Sequence, residues 1–178
     1  GVPVIIGENN EETRPVFENK AAENDSPITF AQDCNEIISS EADKSGGRIY
    51  VTRHFGTFHG ELGGDYRVCN MNTMLNAVKV LKDNGLDISD CTKALDNIVE
   101  STGLVGRWME VNKNPRAVCD TGHNVGGWQY LSKQIKAQKC NKLRIVFGMV
   151  DDKDIDSVMD MLPQNAIYYW TQTKNKRA

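Results

Sequence analysis

Apolar residues in the opening third of the chain come in short bursts. Val4 to Ile6 is a continuous β-branched run closed by Gly7, the pattern of a buried strand. Glu11 to Asn24 has helical spacing, with Val16, Phe17, Lys20 and Ala21 along one side and acidic residues in its first turn. Pro15 falls where an early helical turn tolerates it. Pro27 to Ala31 repeats the strand pattern. Strand, helix and strand within about thirty residues predict a βαβ unit with parallel pairing. From Asn35 the texture becomes that of hairpins. Ile37-Ile38, Arg48 to Phe55 and Thr57 to Leu62 read as short strands, with Ser39 to Gly47 and Gly56 as turns and Gly46-Gly47 as a corner.

The second half has longer periods. Met71, Met74, Leu75, Val78 and Leu81 share one face of a helix from about Cys69 to Asn84, which Gly85 should stop. Ser89 is placed to cap a second helix carrying Thr92, Leu95, Ile98 and Val99 and ending at Gly103, and the two helices should pack together. Trp108 to Val111 and Arg116 to Cys119 follow as strands. A helix with Trp128, Leu131 and Ile135 inward comes next, then strand Leu143 to Phe147, helix Asp151 to Leu162 and strand Ala166 to Trp170. The expected class is α/β.

Composition narrows the function more than the fold. The 178 residues carry a net charge of −3, so the basic face of a nucleic-acid binder has no support. No apolar run reaches the roughly 18 residues of a membrane span. Five cysteines at irregular spacing fit reduced, mostly buried thiols of a cytoplasmic protein better than a disulfide framework or structural zinc. His54 and His59 have no acidic or thiol partner at ligand spacing. No G-x-x-x-x-G-K-[ST] phosphate loop and no G-x-S-x-G elbow occurs.

Candidate chemistry gathers where strands run into helices, the usual ligand edge of an α/β sheet. Asp120-Thr-Gly-His-Asn-Val-Gly-Gly follows a strand and opens a helix, whose free N–H groups suit an anion. Asp120 could accept from a ribose hydroxyl, sit near a bound cation, or merely cap that helix; His123 could touch phosphate or carboxylate. Asp151-Asp152-Lys153-Asp154 occupies the matching place after the next strand, where acids favour the helix dipole without any catalytic purpose.

Three segments taken in order say more. Leu62-Gly-Gly-Asp-Tyr66-Arg-Val-Cys-Asn70-Met-Asn-Thr73 resembles L-x-G-x-Y-Q-x-x-N-x-x-T. Gly106-Arg107-Trp-Met-Glu resembles G-R-[FWL]-[EQM], and Asp120-Thr-Gly-His123-Asn124 resembles D-G-A-H-N-P. Together they resemble folylpolyglutamate synthase/dihydrofolate synthase of the Mur ligase superfamily. Gly148-Met-Val-Asp-Asp-Lys-Asp and the opening Gly1-Val-Pro-Val-Ile-Ile-Gly-Glu fit the same family.

The resemblance implies a Rossmann-like C-terminal Mur ligase domain with a mostly parallel sheet over 65–178, shorter than the family's. The tail of the central ATP-binding domain, βαβ plus hairpin strands, should precede it over 1–64. The implied reaction is ATP-dependent amide formation: a folate or dihydropteroate carboxylate becomes an acyl phosphate, which the amine of L-glutamate attacks. Asn70, Arg107 and Asp120 match the family's ATP contacts, and His123 is the candidate nearest the phosphate or the incoming glutamate. No residue of this chain is expected to bind metal. The Mg2+ ligands and the P-loop should lie on a missing N-terminal part, so the chain, which stops at Lys176-Arg177-Ala178, should be an inactive fragment of a cytoplasmic enzyme of folate and one-carbon metabolism. The sequence departs from the family pattern at Arg67 (Gln), Thr121 and Gly122 (Gly-Ala) and Val125 (Pro). A non-catalytic α/β binding or interaction module and a neighbouring cell-wall Mur ligase are the competing readings.

Overall fold

The computed structural model describes residues 1–44, 46–172 and 174. The predicted βαβ unit is present. Strands β1 (Val4–Ile6) and β2 (Ile28–Phe30) pair in parallel from Val4↔Ile28 to Ile6↔Phe30, joined through helix α1 (Arg14–Glu23). The helix begins three residues later than its acidic residues suggest, because Asn10 and Thr13 close a polar turn first. Thr13 N–H donates to Asn10 Oδ1 at 2.8 Å, and Pro15 then occupies the first turn, where its missing N–H is not needed.

Strands β3 (Ile37–Ala42), β4 (Arg48–Thr52) and β5 (Thr57–Gly60) form an antiparallel three-stranded sheet with β4 in the middle. The sequence reads Ser39 to Ala42 as turn, yet these residues belong to β3. They are the mostly exposed end of an edge strand, and Arg48 Nε fastens it by donating to Ser40 Oγ at 2.9 Å. Along β4, Arg48, Tyr50 and Thr52 point inward.

Helix α2 (Arg67–Asp83) covers β1 and β3, but its buried face is turned from the one the methionines suggest. Asn72, Leu75, Asn76 and Val78 are inside, while Leu81 is exposed. The asparagines are buried because they satisfy loop backbone. Asn72 accepts from Glu36 N–H at 2.8 Å and donates to the Ala31 carbonyl at 2.6 Å, and Asn76 donates to the Cys34 carbonyl at 2.9 Å. The second predicted helix is broken into α3 (Cys91–Ala94), a 3-10 turn (Leu95–Asn97) and α4 (Ile98–Thr102), with Asp90 rather than Ser89 at its start. It packs mainly on β5 instead of α2, with Leu95 buried and its carbonyl accepting from Glu61 N–H at 3.0 Å.

The remaining elements are β6 (Met109–Lys113), β7 (Arg116–Cys119), α5 (Val125–Lys136), β8 (Arg144–Phe147), α6 (Ile155–Met159) and β9 (Ile167–Trp170). β6 and β7 form an antiparallel hairpin, and β8 and β9 pair in parallel from Arg144↔Ile167 to Phe147↔Trp170. Trp128, Leu131, Phe147, Val158 and Leu162 make the core between them, with Trp128 and Phe147 ring centroids 5.6 Å apart. α6 is a short piece of the predicted Asp151–Leu162 helix. Asp151–Lys153 are taken up by a turn, and after Met159 the chain tightens, with Met161 and Leu162 N–H donating three residues back.

The architecture is α/β, with its parallel pairings in two small sheets. The cysteines are free, as expected, but four of the five are exposed rather than buried, because they fall on outer faces and loops. No helix among the described residues is long and apolar enough to cross a membrane. The terminal Lys176-Arg177-Ala178 lies outside the described residues.

Candidate functional site

The three motif segments meet around one carboxylate. Asp120 lies at the end of β7, where the strand opens into the loop before α5. Its Oδ2 accepts from Trp108 N–H at 2.7 Å, and its Oδ1 accepts from Gly122 N–H at 2.8 Å. The Tyr66 hydroxyl, at the start of α2, lies 3.5 Å from Oδ2. One side chain thus ties the Gly106-Arg107-Trp108 segment, its own loop and the entry to α2.

The cap of α5 is not Asp120 but Asn124, whose Oδ1 accepts from Gly127 N–H at 2.7 Å. Asp120 is therefore free of that duty. A carboxylate offers about four lone-pair sites, so the two backbone donors leave acceptor capacity for a ligand hydroxyl.

Arg107 is half-buried and donates through Nη1 to Thr121 Oγ1. Thr121 in turn is locked to Gly106, whose carbonyl accepts from Thr121 N–H at 2.8 Å and from its hydroxyl at 3.0 Å. Gly106 has φ +72°, and a Cβ there would stand 2.7 Å from Thr121 Cγ2. The Thr121 departure thus gives Arg107 a partner and requires glycine at 106. The next residue but one, Trp108, has φ 51° in spite of its side chain. That conformation costs about 1–3 kcal/mol, and such strain concentrates at functional sites. The Asp120 bond to Trp108 N–H is what holds it.

Asn70 sits one turn into α2, exposed, and its amide makes no hydrogen bond among the described residues. The structure places it on the helix that Tyr66 tethers to Asp120. His123 is exposed, with Nδ1 3.0 Å from the Thr121 carbonyl. A carbonyl only accepts, so Nδ1 donates to it and Nε2 is left for an external partner. Val125 occupies the first position of α5, a place that suits proline, so the change from Pro leaves the helix start intact. Burial raises the Tyr66 hydroxyl pKa above its ordinary value; Asp120 reinforces this, and Arg67 and Arg107 oppose it.

Outside this cluster, both other histidines have acidic partners that their spacing did not reveal. His54 Nδ1 is 2.8 Å from Glu36 Oε2, and His59 lies between Asp43, at 2.9 Å, and Asp96. The sheet brings these residues together from distant positions, so only topology could have found them. Tyr66, Trp108 and Thr121 are visible as motif positions, but nothing in the sequence signals the positive φ of Trp108. Among the described residues no group of three or more His, Cys, Asp or Glu side chains is placed to hold a metal ion, and no step is assigned to Mg2+.

Comparison with known proteins supplies the frame for this geometry. No protein-family model matches the chain. It is 33% identical over 105 residues to the dihydrofolate synthase/folylpolyglutamate synthase of Buchnera aphidicola, covering 58% of this chain and 24% of that protein. It is 33% identical over 87 residues to the Escherichia coli protein of the same name, covering 48% and 20%. The chain therefore spans about a quarter or less of the curated relatives it matches. Among solved structures, Mycobacterium tuberculosis folylpolyglutamate synthase complexed with ADP and AMPPCP superposes with a TM-score of 0.79 at 19% identity, over 99% of this chain and 40% of that one. E. coli FolC in complex with DHPP and ADP superposes with a TM-score of 0.64 at 24% identity, over 98% and 40%. The resemblance read from the three motifs, to the C-terminal portion of a folylpolyglutamate synthase/dihydrofolate synthase, is borne out, and with it the Mur ligase fold.

Proposed function

We propose that this chain supplies the nucleotide-facing portion of an ATP-dependent ligase that joins L-glutamate to a folate, or to dihydropteroate, through an acyl phosphate. The observation that carries the reading is the Asp120 junction, which gathers the Tyr66–Asn70, Gly106–Trp108 and Asp120–Asn124 segments at one place. Those are the segments in which the family resemblance lies. The division we propose is a central-domain tail followed by a C-terminal domain, with α2 packed on β1 and β3 of the tail.

ATP, when bound, supplies the phosphoryl group that makes a carboxylate reactive toward an amine. The residues present fit such a ligand. Arg107 has donors beyond the one given to Thr121, and a half-buried guanidinium suits phosphate oxygens. Asp120 retains acceptor capacity for a ribose hydroxyl, and the free amide of Asn70 can both donate to and accept from a purine edge. His123, with Nε2 open, is placed to receive a proton or a hydrogen bond at the loop's outer side. These residues bind and orient; positioning and charge neutralisation are most of what phosphoryl transfer asks of a protein.

The 178 residues contain no phosphate-cradling loop, so in this reading a preceding P-loop domain carries it, along with the Mg2+ ligands, and the enzyme works in the cytoplasm. The test is ADP release by the full-length protein. It should require ATP, Mg2+, a folate or dihydropteroate, and glutamate together, and the 178-residue chain alone should release none. ADP release that ignores glutamate would overturn the ligase reading.

A further inference from the structure

Arg67, the residue that departs from the family's Gln, is poorly accounted for by the fold. It stands in the first turn of α2, with its guanidinium carbon 4.8 Å from the Tyr66 ring centroid. Its Nε and Nη2 are shielded from solvent and have no hydrogen-bond partner among the described residues. The hydroxyl of Tyr50, a fully buried side chain of β4, is likewise without a partner. Arg67 acts electrostatically on both tyrosine hydroxyls and also hydrogen-bonds with that of Tyr66. By contrast Arg48, the neighbouring buried arginine, is neutralised by Asp65 at 2.8 Å. Two shielded donors on a permanent cation are costly to leave unmade, and native proteins seldom tolerate them without a ligand or ion to receive them.

Position gives the donors a direction. Arg67 and Asn70 are three residues apart on one helix and so share a face. Arg67 also lies against Tyr66, the side chain that reaches Asp120. We propose that Arg67 is a second oxyanion-binding residue of the Asp120 site, donating Nε and Nη2 to a phosphate group. This rests on the nucleotide reading of the site and adds a phosphate contact that a Gln at the same position would supply only weakly, having no charge.

The test uses the full-length protein and the substitution Arg67→Gln, which puts the family residue back and should fold. Calorimetric titration with ADP and with adenosine separates phosphate recognition from base recognition. We expect Arg67→Gln to weaken ADP about tenfold and leave adenosine within about twofold, with Arg67→Lys in between. Equal affinity for ADP in wild type and Arg67→Gln, or equal loss for ADP and adenosine, overturns the proposal. Inorganic phosphate is the second arm. A rise in Tm with phosphate alone that disappears in Arg67→Gln supports an oxyanion site filled by free phosphate. If wild type binds no ADP, the nucleotide reading fails by itself, and the phosphate arm still decides: no phosphate-dependent rise in wild type then overturns the role of Arg67.

Discussion

The loops that follow β7 and β8 hold equivalent places in the α/β region, and both bring acidic residues to the start of a helix. They use them differently. After β8, Asp154 caps α6 by accepting from Ser157 N–H at 3.1 Å, a purely local bond. After β7, the capping is done by Asn124, and Asp120 reaches twelve residues back to hold Trp108 in a strained conformation. An acid that serves its own helix needs no further explanation. An acid released from that task joins three separate segments instead, and the proposed nucleotide reading rests on that junction.

The sharpest way to break this contrast is Asp120→Ala. It orphans the N–H groups of Trp108 and Gly122 and should cost about 2–3 kcal/mol in urea unfolding, because shielded donors lose their acceptor. Arg107→Ala is expected to spare the fold. In the full-length enzyme it should lower kcat/KM for ATP by about 10²-fold, since a phosphate-directed charge is lost; an unchanged value removes Arg107 from the site. Asn124→Ala should cost about 1 kcal/mol by loss of the α5 cap. Asp154→Ala should have the smallest effect, read as a drop in Tm. Its carboxyl is held below the ordinary 3.8 by the Ser157 hydrogen bonds. A lowered folded-state pKa gives stability that is present above the unfolded value and lost as pH falls through the folded one. The Tm difference between wild type and Asp154→Ala should therefore be full at neutral pH, start to shrink as the pH falls below about 3.8, and vanish only at lower pH.

Much of this contrast was legible in the sequence, because periodicity and motif order are local. The βαβ unit, the Arg116–Cys119 strand and the inward Trp128 and Leu131 all follow from it. The errors have a common physical origin. Asn72 and Asn76 turned α2 because backbone groups of distant loops needed partners, and the edge strand at Ser39–Ala42 needed no apolar pattern to pair. The carboxylate partners of His54 and His59 come from other strands and turns. Asn70, Arg107, Asp120 and His123 were legible as motif positions, but the structural role of Asp120 was hidden. It lies in the φ of Trp108 and in the cap given to Asn124, and neither is written in residue spacing.

The central claim is that the β7–α5 loop, not the β8–α6 loop, receives a nucleotide. Calorimetric titration of ADP into the full-length protein compares them directly. Arg107→Ala and Asn70→Ala should each raise the Kd about tenfold or more, as expected when a charged or bidentate contact is removed, whereas Asp154→Ala should leave it within about twofold. Equal effects at the residues gathered around Asp120 and at Asp154, or an effect confined to Asp154, would contradict the account.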